Sequence, residues 1–67
     1  MPIDEVKFFC ACAKNCIGES AAIQKAGLSQ TVLRQIKRGK ACTAMTVGLL
    51  ASTLNVSVKY LLGLDEE

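Results

Sequence analysis

At 67 residues, with 51% apolar side chains, one proline, four cysteines and no histidine, the chain has room for one small domain and no separate linker. Its formal charge is +2; no apolar stretch runs for the ~18 residues a membrane span needs, and the opening MPIDEVKFF carries acids in place of a basic leader. These features argue against a membrane protein, a secreted disulfide scaffold and an enzyme, because no paired carboxylates lie outside the acidic ends and so short a chain does not close a pocket. The expectation is a cytoplasmic protein with reduced thiols, no metal and no cofactor.

Glycine, asparagine and hydroxyl residues cut the sequence into short helical pieces. Asp4 is placed to cap a first helix that reaches about residue 15. A second helix over 20–26 stops at Gly27, which takes the left-handed conformation without a Cβ penalty. Ser29 caps a third over 30–38, ended by Gly39. Thr46 caps a fourth over 47–54 with Asn55 as the stop, and Ser57 caps a last one over 58–62, closed by Gly63. Nothing alternates long enough to be a strand, so the fold class is all-α, a compact five-helix bundle with one domain over 1–67.

Spacing selects a core from Val32, Leu33 and Ile36 in the third helix, Val47, Leu50, Ala51 and Leu54 in the fourth, and Val56, Leu61, Leu62 and Leu64 beyond it. The opposite face of the third helix then carries Gln30, Thr31, Arg34, Gln35 and Arg38. Charge is unevenly spread. The acids are Asp4, Glu5, Glu19, Asp65, Glu66 and Glu67, and none lies between Ser20 and Leu64, where Lys25, Arg34, Lys37, Arg38, Lys40 and Lys59 sit. Four of these bases fall inside RQIKRGK, residues 34–40, a density suited to phosphates or, failing that, to a solvated surface.

Residues 20–63, SAAIQKAGLSQTVLRQIKRGKACTAMTVGLLASTLNVSVKYLLG, resemble the Cro/phage-repressor type of helix-turn-helix DNA-binding domain. The elements that carry the likeness are the turn AGLSQ between two short helices, the IKRGK that ends the second, and the closing LNVSVKYLLG. The resemblance implies a lambda-repressor-like bundle with its helix-turn-helix unit at about 20–38 and the third helix in the major groove of double-stranded DNA. It makes Gln30, Thr31, Arg34 and Gln35 the base-contacting residues. Ser20, Lys37, Arg38 and Lys40 become the phosphate contacts.

Three departures stand out. Where the family usually begins its second helix with a neutral residue that touches a phosphate, this chain has Glu19, which suits the helix dipole and repels DNA. The usual Leu-Ala pair of that helix is Ala22-Ile23, nearly the same volume. Many relatives pair an arginine in the first helix with a glutamate near the end of the third; Cys12 and Lys37 stand there instead, so both partners of that pair are lost together.

The stretch CACAKNC, residues 10–16, holds three of the four cysteines. Cys12 and Cys16 share a helical face, Cys10 lies elsewhere and Cys42 follows the third helix. With no close C-x-x-C pair and no histidine, these read as small apolar side chains before a zinc or redox site. The first helix is nevertheless apolar on several sides. The resemblance turns Phe8, Ala11 and Cys12 inward, whereas periodicity favours Val6, Phe9, Ala13 and Cys16; the set left outside is an apolar stripe that asks for a partner. Val6, Phe9, Cys10 and Ala13 are taken as the dimer interface.

Together these features imply a transcriptional regulator, a repressor that binds a two-fold operator as a homodimer. Two rivals are a protein-interaction module acting through the first helix and a cysteine-based redox or metal sensor.

Overall fold

Each helix starts after an extended residue, which at Asp4, Thr43 and Ser57 also accepts from a free helix N–H through its side chain, and stops where the backbone turns left-handed. In a computed structural model, which describes residues 2–64, five helices follow in order: α1 (Glu5–Lys14), α2 (Glu19–Lys25), α3 (Gln30–Lys37), α4 (Ala44–Leu54) and α5 (Val58–Leu61). Among the described residues there is no strand; a single antiparallel bridge joins Pro2 to Ala41. The terminal acids Asp65, Glu66 and Glu67 lie outside the described residues.

Asp4 caps α1 by accepting from the Lys7 N–H at 3.0 Å, and Ser57 caps α5 by accepting from the Tyr60 N–H at 3.0 Å. Ser29 takes the N-cap position of α3 without a side-chain bond, and α2 begins a residue early at Glu19 behind Gly18. The expected cap Thr46 is displaced by Thr43. The Thr43 hydroxyl accepts from the Thr46 N–H at 3.3 Å and donates to the Thr46 hydroxyl at 3.0 Å, so Ala44 and Met45, both good helix formers, join α4.

All five helices close alike. A left-handed residue, Cys16, Gly27, Gly39, Asn55 or Gly63, lets the next N–H return to a carbonyl in the last turn: Ile17 to Cys12, Leu28 to Ile23, Lys40 to Gln35, Val56 to Ala51, Leu64 to Lys59, at 2.8–3.0 Å. Asparagine tolerates this backbone better than most residues. Cysteine does not, and Cys16 holds φ at 56°.

The core takes Phe8, Ala11 and Cys12 from α1, Ala22 and Ile23 from α2, Ile36 from α3, Leu61 from α5, and Val47, Leu50, Ala51 and Leu54 from α4. Ile3, ahead of α1, is also buried, held in register by the Asp4 N–H donating to the Leu61 carbonyl at 2.8 Å. Asn15 ties the end of α1 to the end of α4, its side-chain N–H groups donating to the Ala11 and Leu54 carbonyls, both at 2.8 Å. Val32, Leu33, Val56 and Leu62 are half-buried against the core, but Leu64 is 57% exposed, because the left-handed turn at Gly63 ends the apolar face before it.

Two apolar surfaces remain outside. On α1, Val6 is 69% and Phe9 58% exposed, with Cys10 and Ala13 also exposed. Periodicity alone therefore gives the wrong inward face for α1, since a helix apolar on several sides offers more than one face to the core and Phe8, Ala11 and Cys12 are the ones buried. The second is on α4, a helix without charged residues, where Met45 and Leu49 are exposed one turn apart.

Cys16→Gly should remove the left-handed penalty and raise stability by about 1 kcal/mol, read as a higher urea midpoint with unchanged slope.

Candidate nucleic-acid interface

Residues 26–29 turn the chain between α2 and α3, and α3 is fastened to the body by Ile36, with Val32 and Leu33 half-buried beside it. That leaves Gln30, Thr31, Arg34, Lys37 and Arg38 exposed and Gln35 half-buried; Lys40 follows, exposed, after Gly39. The four base-contact candidates thus come together on α3. Of the four phosphate candidates, Lys37, Arg38 and Lys40 lie at its end, and Ser20 lies at the start of α2.

Ser20 and Gln30 are bonded to each other. The Ser20 hydroxyl donates to Gln30 Oε1 at 2.9 Å, and Gln30 Nε2 donates to the Ser20 carbonyl at 3.2 Å. The single hydroxyl proton of Ser20 is thereby committed, while Gln30 keeps one N–H and one acceptor lone pair for another partner. The clamp fixes the side chain at the head of α3 before any ligand arrives.

Lys37 is also engaged. Its Nζ lies 3.4 Å from Glu19 Oε1 and 4.0 Å from Glu5 Oε2, joining α3 to the first residues of α2 and α1. This ion triad is the feature that sequence reasoning missed: Lys37 finds acids on two other helices. Nothing in the sequence signals it, because the three residues belong to three separate helices. Arg34, Arg38 and Lys40 make no ion pair with a described residue. Ala22 and Ile23 are both fully buried.

The thiols occupy unlike places: Cys10 and Cys16 exposed, Cys42 half-buried, Cys12 buried. Burial first, and the Glu19 carboxylate second, push the Cys12 thiol up to about 11; burial also raises Cys42. Both shifts oppose the thiolate that metal binding or disulfide exchange needs. Among the described residues, no three acids or cysteines come together in an arrangement able to hold a metal ion, and no helix is long and apolar enough to cross a membrane.

Compared with known proteins, the chain matches no family model, no curated protein and no solved structure.

The Cys12 shift has a definite sign. Its folded thiol ionises higher than the unfolded one, whose value is near 9.0, so the unfolded chain loses its proton first as pH rises. The melting temperature should fall between pH 9 and about 11, and fall less steeply in Cys12→Ala, with thermal melts across that range as the measurement.

Proposed function

We propose that the chain is a sequence-specific DNA-binding transcriptional regulator, a repressor of the Cro/phage-repressor type that binds a two-fold operator as a homodimer. The observation that carries this reading is the outward face of α3. Gln30, Thr31 and Arg34 are exposed, with Gln35 half-buried beside them, on a short helix fastened through Ile36, and Arg34, Arg38 and Lys40 add positive charge that no described acid neutralises. Such a helix suits the major groove, where glutamine pairs with adenine and arginine with guanine in two-bond contacts. Arg38 and Lys40 then meet phosphates, a contribution blind to sequence and sensitive to salt. Repression follows from covering promoter DNA.

One protomer reads few bases, so a second copy is needed for useful discrimination. The α1 surface, Val6, Phe9, Cys10 and Ala13, supplies the contact, and an open cleft of about 360 Å³ beside it is lined by Glu5, Val6, Phe9, Glu19 and Lys37. The same exposed stripe favours a second reading, in which the domain binds another protein through α1 and reads no operator. Association through apolar contact depends weakly on salt, whereas phosphate neutralisation makes affinity fall steeply with it.

Selection from a random duplex pool should return a two-fold site. Gln35→Ala should lose preference at one base position in each half, about 1–3 kcal/mol of discrimination, with the salt slope unchanged. A flat salt response together with no enriched sequence would overturn the operator reading and favour the interaction module. Phe9→Asp should convert the dimer to monomer in sedimentation and weaken operator binding by at least tenfold, while Leu49→Asp leaves both unchanged.

A further inference from the structure

We propose that Glu19, assisted by Glu5, withholds Lys37 from DNA, so that this lysine fastens α3 to the body of the domain and contributes nothing to phosphate binding. The inference rests on the DNA-binding reading and sharpens it.

By position alone Lys37 belongs with the phosphate contacts. It is the last residue of α3, and its neighbours Arg38 and Lys40 are exposed and unpaired among the described residues. Its ammonium is placed differently. It lies 3.4 Å from a Glu19 oxygen and 4.0 Å from a Glu5 oxygen, and the Glu19 side chain is only 20% exposed, against 49% for Lys37 and 51% for Glu5. Glu19 is the inward member of the triad, and its field reaches the buried Cys12 thiol.

Two consequences follow from elementary electrostatics. A phosphate gains counterion-release free energy from a cation that brings an unneutralised charge to the duplex, and Lys37 already has two carboxylates beside it. Pulling Lys37 onto a phosphate would also leave the half-buried Glu19 carboxylate without its cation, next to an anionic ligand. An exposed pair between flexible side chains would be too weak to decide this. A lysine between two acids, one of them sheltered, is held better. The domain therefore reaches DNA with Arg34, Arg38 and Lys40 as its unengaged cations near α3, and its sequence-blind affinity is lower than the run RQIKRGK suggests. Lowering the sequence-blind component weakens operator and random-site binding alike, so their ratio stays with the base-facing side chains.

The test is fluorescence anisotropy on a labelled mixed-sequence duplex of about 20 base pairs, titrated between about 50 and 200 mM NaCl. Lys37→Met should leave the slope of log affinity against log salt where it is in the unaltered protein. Glu19→Gln, which keeps the side-chain shape, should tighten binding and steepen the slope by about 0.9 per bound protomer, as Lys37 is released to the duplex. The double variant Glu19→Gln/Lys37→Met should return to the original slope. A drop of about 0.9 in Lys37→Met alone would place that lysine on DNA and overturn the inference while leaving the DNA-binding reading intact. Persistence of the steeper slope in the double variant would overturn it too, by assigning the gain to lost repulsion at Glu19. Absence of any duplex binding by the unaltered protein at the lowest salt removes the DNA-binding reading itself and the inference with it. Thermal melts confirm folding of each variant, and Lys37→Gln replaces Lys37→Met if that protein does not fold.

Discussion

Ile36 is the one fully buried side chain that α3 contributes, and the usefulness of that helix rests on it. An eight-residue helix has little stability alone; its outer face is defined because its inner face is fastened. Ile36, with Val32 and Leu33 beside it, sets the rotation of α3 about its axis, and polar contacts then fix its ends. At the head the Ser20–Gln30 clamp joins it to α2, and at the tail the Lys37 triad joins it to α2 and α1. Apolar burial decides which side faces out. The polar ties decide how much those outward side chains can still move.

The two ties bear differently on recognition. Committing the Ser20 hydroxyl to Gln30 leaves it no proton to donate elsewhere but orders a residue at the head of α3, so on the proposed reading less side-chain entropy would be lost when a base edge is met. Committing Lys37 removes positive charge from the surface without removing it from the composition. A count of basic residues therefore overstates the field that α3 presents.

Much of the fold was legible in the sequence, and the parts that were not share a cause. Helix stops were readable because Gly27, Gly39, Asn55 and Gly63 are the residue types that accept a left-handed backbone. The core face of α4 was readable because Val47, Leu50, Ala51 and Leu54 repeat at helical spacing. What failed were choices between equivalent letters: two threonines three apart compete to cap α4, and α1 offers two apolar faces among which spacing alone selects the wrong one. The likeness to phage repressors chose Phe8, Ala11 and Cys12, and these are the buried set. Contacts between distant residues with no shared pattern, such as Glu5, Glu19 and Lys37, left no trace in the sequence. The cysteines divide by the same logic. One letter covers a core filler at Cys12, a strained helix terminator at Cys16 and exposed surface at Cys10, and only local backbone and burial tell them apart.

The uniform way in which the helices end has a further bearing on how such a protein lives in a cell. The longest, α4, has 11 residues, below the roughly 12–15 at which a helix begins to hold together in water by itself. Secondary and tertiary structure are consequently gained and lost in one step, with no half-formed scaffold to fall back on. A molecule that opens presents its whole backbone to a protease at once, so modest changes in folding free energy translate directly into lifetime. On the proposed reading as a regulator, abundance would itself be a signal, and this architecture would let turnover set it.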